Sequence, residues 1–326
     1  MIRVAVDAMG GDRAPDEVIA GALDARSAEL EPILFGLPGL DTGALELVEA
    51  AEAIAMDEKP AEAVRAKPDS SLVAAVRAVA EGRADAVVSA GNTGAMLAAS
   101  FLELRRLPGV VRPAIAVPLP ARRGPSVLID AGANADARPE HLLQFGHMGA
   151  IFAEEILGIP QPEVRLLSIG EESEKGNHLT LQAHGLLAES DLTFRGNAEA
   201  TDLLKGAADV VVTDGFTGNI ALKLIEGTIR ELLDALRTQI GSTTRGKLGG
   251  LLIRPAARAL RTELDPDTYG GAYLLGLRGL VVIAHGNSSR RAIANAIRLA
   301  ARGVENDVVG RLSERLPQRT REPLTK

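Results

Sequence analysis

Short apolar runs alternate with longer amphipathic stretches from the first residues onward. The runs at 2–6, 33–35, 86–88, 115–117, 127–129, 164–169, 210–212 and 280–283 are rich in Val, Ile and Leu. Each predicts a strand buried on both faces. Between them the apolar positions follow helical spacing. Ser70 reads as an N-cap ahead of Leu72, Val73, Val76 and Val79. Pro139 opens a helix that carries Leu142, Phe145, Met148, Phe152 and Ile156 three or four residues apart. Such alternation implies a mostly parallel sheet with helices on both sides. No repeat of fixed period and no low-complexity linker divides the chain. Residues 1–326 are therefore expected to form one continuous α/β domain. From about Gly310 the pattern dissolves into Arg, Glu and Pro, so 310–326 is expected to be a loose tail.

Small polar residues collect where the strands end. The first strand runs into Asp7, Ala8, Met9, Gly10, Gly11 and Asp12, and the strand at 86–88 into Ser89, Ala90, Gly91, Asn92, Thr93 and Gly94. Later strands lead into Asp130 to Asn134, into Gly170, Glu171, Glu172, Lys175 and Asn177, and into Asp214, Gly215, Thr217, Gly218 and Asn219. The last leads into His285, Gly286 and Asn287. In an open parallel sheet these ends gather on one edge, where ligands bind. Glycine allows close backbone approach, and a helix starting after such a loop offers free N–H groups and a positive dipole end. Together they make an anion site. Each loop alone also reads as an ordinary turn. The recurrence of Gly-Asn at 91–92, 176–177, 196–197, 218–219 and 286–287 favours the anion reading.

Composition narrows the chemistry. The chain has no Cys and no Trp, 46% hydrophobic residues, and a net charge of -7. Zero Cys removes disulfides, thiolate metal sites, Fe–S clusters and a Cys nucleophile. The acidic balance argues against a nucleic-acid partner. No stretch approaches the roughly 18 unbroken apolar residues of a membrane span, and the first residues do not read as a signal peptide. A cytoplasmic location is expected. No G-x-G-x-x-G follows a strand, and no HExxH or G-x-S-x-G motif occurs. The stretch from Gly241 to Lys247 looks like a Walker A loop, but Leu248 stands where Ser or Thr would hold Mg²⁺. His141 and His147, like His178 and His184, are six residues apart, a poor spacing for a shared metal. No metal or cofactor is expected. His285, at a strand end, is the histidine kept as a site candidate. Lys175 reads either as a solvated lysine or as a cation steadying an anionic substrate or oxyanion.

These blocks resemble the phosphate acyltransferases of bacterial phospholipid synthesis (PlsX). The resemblance rests on Val6 to Asp12 with Pro15, on Ser89 to Ala95, on Gly170 to Asn177, and on Asp214 to Asn219 with Lys223. Tyr269, Gly270 and Gly271 with Leu274 to Gly276, and His285 with Gly286, continue it in family order. It implies a three-layer α/β/α sandwich with a mostly parallel, Rossmann-like sheet, related to phosphotransacetylases and isocitrate-dehydrogenase-like enzymes. It implies that acyl-[acyl carrier protein] and inorganic phosphate give acyl phosphate and free carrier protein. It further implies a homodimer, peripheral association with membrane, and delivery of product to a glycerol-3-phosphate acyltransferase. Lys175 and Asn219, matching the family's Lys and Asn, are the expected oxyanion stabilisers, with His285 as a possible assistant. Asp7, Gly10, Gly11, Ser89, Gly91, Asn92, Thr93, Gly94 and Asn134 are expected to hold phosphate or substrate. So are Glu171, Asn177, Asp214, Gly215, Thr217 and Gly218.

One segment opposes the overall charge. Within 241–264 lie Arg245, Lys247, Arg254, Arg258 and Arg261, with no acid between the first and last of them. At 100° per residue Lys247, Arg254, Arg258 and Arg261 share one face, opposite Leu248, Leu252, Ala256, Ala259 and Leu260. A basic amphipathic helix reads as binding a membrane surface or an acidic partner; packing on its own core or in a dimer is the alternative. Gly249, Gly250 and Pro255 predict a helix that is broken or forms on contact.

Overall fold

The computed structural model describes residues 1–264 and 270–317, with side chains described as far as 260 before the intervening stretch. Tyr269, the Arg261 side chain and residues 318–326 lie outside the described residues. The chain begins β1 (Ile2–Asp7), α1 (Asp16–Ala25), β2 (Leu30–Gly36), β3 (Glu46–Glu49), α2 (Pro60–Ala66) and α3 (Ser71–Ala80). It continues β4 (Ala86–Ser89), α4 (Thr93–Glu103), β5 (Ala114–Leu119), β6 (Ser126–Ile129), α5 (Pro139–Leu157), β7 (Val164–Leu167) and α6 (His178–Ala188). Then follow β8 (Phe194–Ala198), β9 (Val210–Val212), α7 (Gly215–Gly241) and α8 (Thr244–Leu264). The last elements are β10 (Ala272–Leu275), β11 (Leu280–Ile283), α9 (Arg290–Glu305) and α10 (Val308–Arg315).

Every run read from the sequence falls on a strand, although the 164–169 run stops at Leu167 and leaves Ile169 exposed. Three strands carry no such run. β3 and β8 lie at the two ends of the sheet, where one side faces no further strand and the sequence need not be apolar throughout. β10 is a run of four residues set between Gly271 and Gly276, which reads as loop.

The sheet order is β3-β2-β1-β4-β11-β10-β5-β6-β9-β7-β8. Its strands alternate side chains between two cores. Val4 and Val6 pack on one face with α1, α5 and α9, and Ala5 packs on the other with α3 and α4. Burying each Val or Leu fully contributes roughly 1.5–3 kcal/mol. This is a mostly parallel α/β fold with helices on both faces.

The expectation that all strand ends meet on one edge is corrected by the register. β10 is antiparallel to both β11 and β5, and β5 is antiparallel to β6. The strands from β6 to β8 therefore run opposite to those from β3 to β11. One row of paired residues crosses the sheet through Val6, Val88, Val282, Tyr273, Ala116, Ile129, Val212 and Leu166. That row lies at the carboxyl end of the parallel strands of both halves. The loops thus meet near the middle of the sheet, over β10 and β5, approaching from opposite directions.

Two other expectations change. Residues 308–315 form α10, whose Val308 and Leu312 are buried, along with Leu316 after it, against α5 and α9. The tail is therefore not loose as far as residue 317, because three apolar side chains still find a core. The basic segment is one helix, α8, running through Gly249, Gly250 and Pro255. α7 packs along it, which supplies tertiary support that propensity alone does not.

Candidate functional site

The loop after β1 is tied down by a buried carboxylate. Asp7 is 2% exposed, and it accepts hydrogen bonds from Ser71 Oγ and Ser89 Oγ, each at 2.7 Å. Ser89 Oγ in turn accepts from Gly91 N–H at 3.0 Å. The three loops are close enough that a side chain on Gly10 would meet Asp7 Oδ2 at 2.5 Å and Gly91 N at 2.7 Å. Asp12 N–H donates to the Gly286 carbonyl at 2.7 Å and joins the loop after β11, just beyond Gly11. Asp7 and Ser89 were expected to touch phosphate. Their polar atoms are spent on one another, so they position the loops instead.

Burial pushes the Asp7 carboxyl up from its ordinary value, and the bonds from Ser71, Ser89 and Met9 only partly oppose this. A raised acid is held protonated more firmly in the folded than in the unfolded chain. Its contribution to stability is full below the unfolded value near 3.8 and is lost as pH rises through the higher folded value. The stability of wild type minus that of Asp7→Asn should therefore fall as pH is raised from about 4. Thermal unfolding of both proteins across pH 4–7 checks this; a flat or rising difference rejects it.

The α4 entry is likewise built from its own side chains. Asn92 Oδ1 accepts from Ala95 N–H at 3.0 Å, while Nδ2 donates to the carbonyls of Met56 and Glu58. Asn92 is an N-cap with its amide fully used, not a free phosphate ligand. Thr93 and Gly94 follow as the first helical residues, whose N–H groups have no intrahelical acceptor.

A second buried carboxylate organises the other half. Asp130 accepts from the N–H groups of Ile115, Gly132, Ala133 and Asn134, and from Asn134 Nδ2. Burial raises its carboxyl, and these donors pull it the other way. Asn134 Nδ2 also donates to the Pro113 carbonyl, so its amide serves the scaffold too. The first turn of α7 lies directly on this loop. Asp214 caps it by accepting from Thr217 N–H and Thr217 Oγ1. Gly215 N–H donates to the Asn134 carbonyl. A Cβ on Gly218 would stand 1.9 Å from the Asp130 carbonyl oxygen, so only glycine fits. This contact sets Asn219 beside Gly132.

Between the two halves lies a cavity of about 380 Å³. Its polar lining includes Asp12, Thr93, Asn219, Lys223, Glu226 and His285. Its apolar wall includes Ile115, Val117, Leu119, Leu222, Ile225 and Ile229. His285 Nε2 stands 4.0 Å from Glu226 Oε2. Gly91 and Ala131 also line it, so loops from both halves of the sheet contribute. A space with one polar end and a long apolar wall can seat an amphiphilic substrate and a small anion.

The structure does not bring every expected residue here. Lys175 and Glu171 are exposed on the loop after β7 and do not line the cavity, whereas Asn219 does. Asn177 caps α6 by accepting from Thr180 N–H at 2.9 Å. Conversely, Lys223, Glu226 and Asp12 line the cavity without having been chosen as site residues. The signal was present for Lys223 and Glu226: counted from Asn219 they fall at i+4 and i+7 on one helix face. Among the described residues no group of three or more His, Asp or Glu could hold a metal ion.

A family model described as a fatty acid synthesis protein matches residues 2–311. A phosphate acyltransferase of Heliobacterium modesticaldum is 47% identical over 328 residues, covering 97% of this chain and 98% of the relative. One from Desulfitobacterium hafniense is 48% identical, covering 98% and 99%. The chain belongs to the phosphate acyltransferase family. It is an acyltransferase. Among solved structures this acyltransferase is similar in fold to the EutD phosphotransacetylase from Staphylococcus aureus, with a TM-score of 0.60 at 17% identity. That match covers 93% of this chain and 94% of the other. A phosphotransacetylase from Streptococcus pyogenes gives the same TM-score at 18% identity.

Proposed function

We propose that this acyltransferase makes acyl phosphate from a long-chain acyl-[acyl carrier protein] and inorganic phosphate, as a step of phospholipid synthesis. The cavity carries this reading, because its apolar wall suits a fatty chain and its polar end suits the reacting groups. Phosphate oxygen attacks the thioester carbonyl, the C–O bond forms and the C–S bond breaks. The proton of hydrogen phosphate ends on the released thiol, so no other reactant is consumed. Phosphate is itself the nucleophile, which agrees with a chain that contains no Cys. Asn219 is the donor to the developing oxyanion, an interaction typically worth roughly 3–4 kcal/mol of barrier. Holding both reactants in line contributes roughly 7–11 kcal/mol more. Lys175 is kept as a second donor on the family resemblance alone. In this reading His285, whose Nε2 lies 4.0 Å from Glu226 Oε2, passes the proton to the leaving thiolate.

The structural neighbours named phosphotransacetylases make an acyl-CoA donor the reading to test against. Purified enzyme given phosphate and either donor should release thiol from long-chain acyl-carrier protein at least tenfold faster. Equal or better use of acyl-CoA would replace the carrier protein in this proposal.

The α7–α8 hairpin supports a peripheral membrane role for a cytoplasmic homodimer that hands its product to a glycerol-3-phosphate acyltransferase. Among the described residues no helix is long and apolar enough to cross a membrane. Yet Leu248, Leu251 and Leu252 of α8 are 64%, 63% and 82% exposed, beside exposed Lys247, Arg254 and Arg258. Apolar side chains next to cations suit an anionic lipid surface. Exchanging Lys247, Arg254 and Arg258 for Gln should weaken binding to phosphatidylglycerol vesicles at least fivefold, and salt should weaken wild-type binding. Unchanged vesicle sedimentation would leave the hairpin without this role.

A further inference from the structure

The proposed reaction needs an inorganic phosphate inside the cavity, and the lining is not obviously hospitable to one. Asp12 and Glu226 bring two carboxylates to it. Several backbone donors that the strand-end loops offer are already committed. Gly91 N–H bonds to Ser89 Oγ, Thr217 N–H to Asp214 Oδ1, and Gly218 N–H to the Asp214 carbonyl. Two carboxylates repel an incoming anion, and a cation on the same lining offsets that repulsion.

Among the described lining residues, Lys223 is the one lysine or arginine. Its ammonium has no hydrogen bond or ion pair with any described residue, so binding an anion there breaks no existing contact. Lys223 is also exposed, so an incoming anion meets it from solvent. Its place on α7 is informative. It follows Asn219 by four residues, which sets both side chains on one face, about 6 Å apart along the axis. An anion on the Lys223 ammonium therefore sits one helical turn from the amide proposed to receive the oxyanion. Side chains reaching into the cavity from neighbouring turns can hold two reactants against each other, as a near-attack separation of about 3–3.5 Å requires. Leu222, Ile225 and Ile229 form a neighbouring stripe of the same helix and line the apolar wall. Polar and apolar stripes of α7 thus run side by side along the cavity. Thr93, at the N-terminus of α4, lines the same cavity and adds a hydroxyl and an unpaired N–H.

We propose that Lys223 is the phosphate-binding cation of this site, holding inorganic phosphate for attack beside Asn219. This inference rests on the reaction proposed above. Two measurements on the full-length protein separate them: equilibrium dialysis with radiolabelled inorganic phosphate, and the phosphate KM for acyl phosphate formation. Lys223→Gln should weaken phosphate binding and raise phosphate KM at least tenfold, with the acyl-donor KM within twofold of wild type. Lys223→Arg should restore most of both. Phosphate binding and KM within twofold of wild type in Lys223→Gln would overturn the inference, as would an equal rise in the acyl-donor KM. If wild type binds phosphate through Lys223 but forms no acyl phosphate, the inference stands and the proposed reaction falls. If wild type forms acyl phosphate and Lys223→Gln keeps its phosphate KM, the reaction stands and the inference falls.

Discussion

Gly218→Ala should lower turnover at least a hundredfold, although it adds a single methyl group. The new Cβ would lie 1.9 Å from the Asp130 carbonyl oxygen, which belongs to backbone and cannot swing away. Relief requires α7 or the 130–134 loop to move by an ångström or more. Either shift carries Asn219, the next residue, away from its place in the cavity. A displacement of about 1 Å can cost 10²-fold in rate. The thermal midpoint should fall as well, because the Asp130 loop is held by five N–H donors that α7 packs against. Gly227→Ala is the matched control. It lies on the same helix with nothing within 4 Å of its added Cβ, and helix propensity favours alanine there by roughly 0.8–1 kcal/mol. Its turnover should stay within twofold of wild type. A Gly218→Ala enzyme as active as Gly227→Ala would show that the close approach does not position the site.

Asn219→Ala should reduce kcat by 10²–10³-fold, the usual loss for a single oxyanion donor, and leave the acyl-donor KM little changed. The side chain lines the cavity and is not part of either core, so the fold should remain intact. Lys175→Ala should reduce turnover at least tenfold if the loop after β7 supplies the second donor. Near-normal turnover in both variants would remove the oxyanion assignment. Loss of acyl-donor binding in place of kcat would make Asn219 a substrate-binding residue instead.

Much of this fold was legible because buried parallel strands must be apolar nearly throughout. β1, β4, β6 and β9 are therefore readable as plain Val, Ile, Leu and Ala runs. β3 and β8 escape the same test because they end the sheet, and β10 because glycines bracket it. Strand direction was not legible. The reversal between β11 and β6 depends on β10 returning from the far end of the chain, which no local pattern records. The site divides in the same way. Gly, Asn and Asp at strand ends mark loops from which Gly91, Thr93, Asn219 and His285 line the cavity. What each polar group does there was not readable. Asn92, Asn177 and Asp214 have the composition of ligands but the geometry of helix caps. Telling these roles apart requires the position of the next turn's N–H groups.

In the proposed mechanism bound phosphate attacks the thioester directly, with no acyl-enzyme between. Enzyme and long-chain acyl-carrier protein can be mixed at near-equal concentration without phosphate, and free carrier thiol followed by rapid quench. No burst of thiol should appear until phosphate is added, and then one acyl phosphate should form for each thiol released. A burst approaching one thiol per enzyme before phosphate arrives would contradict it.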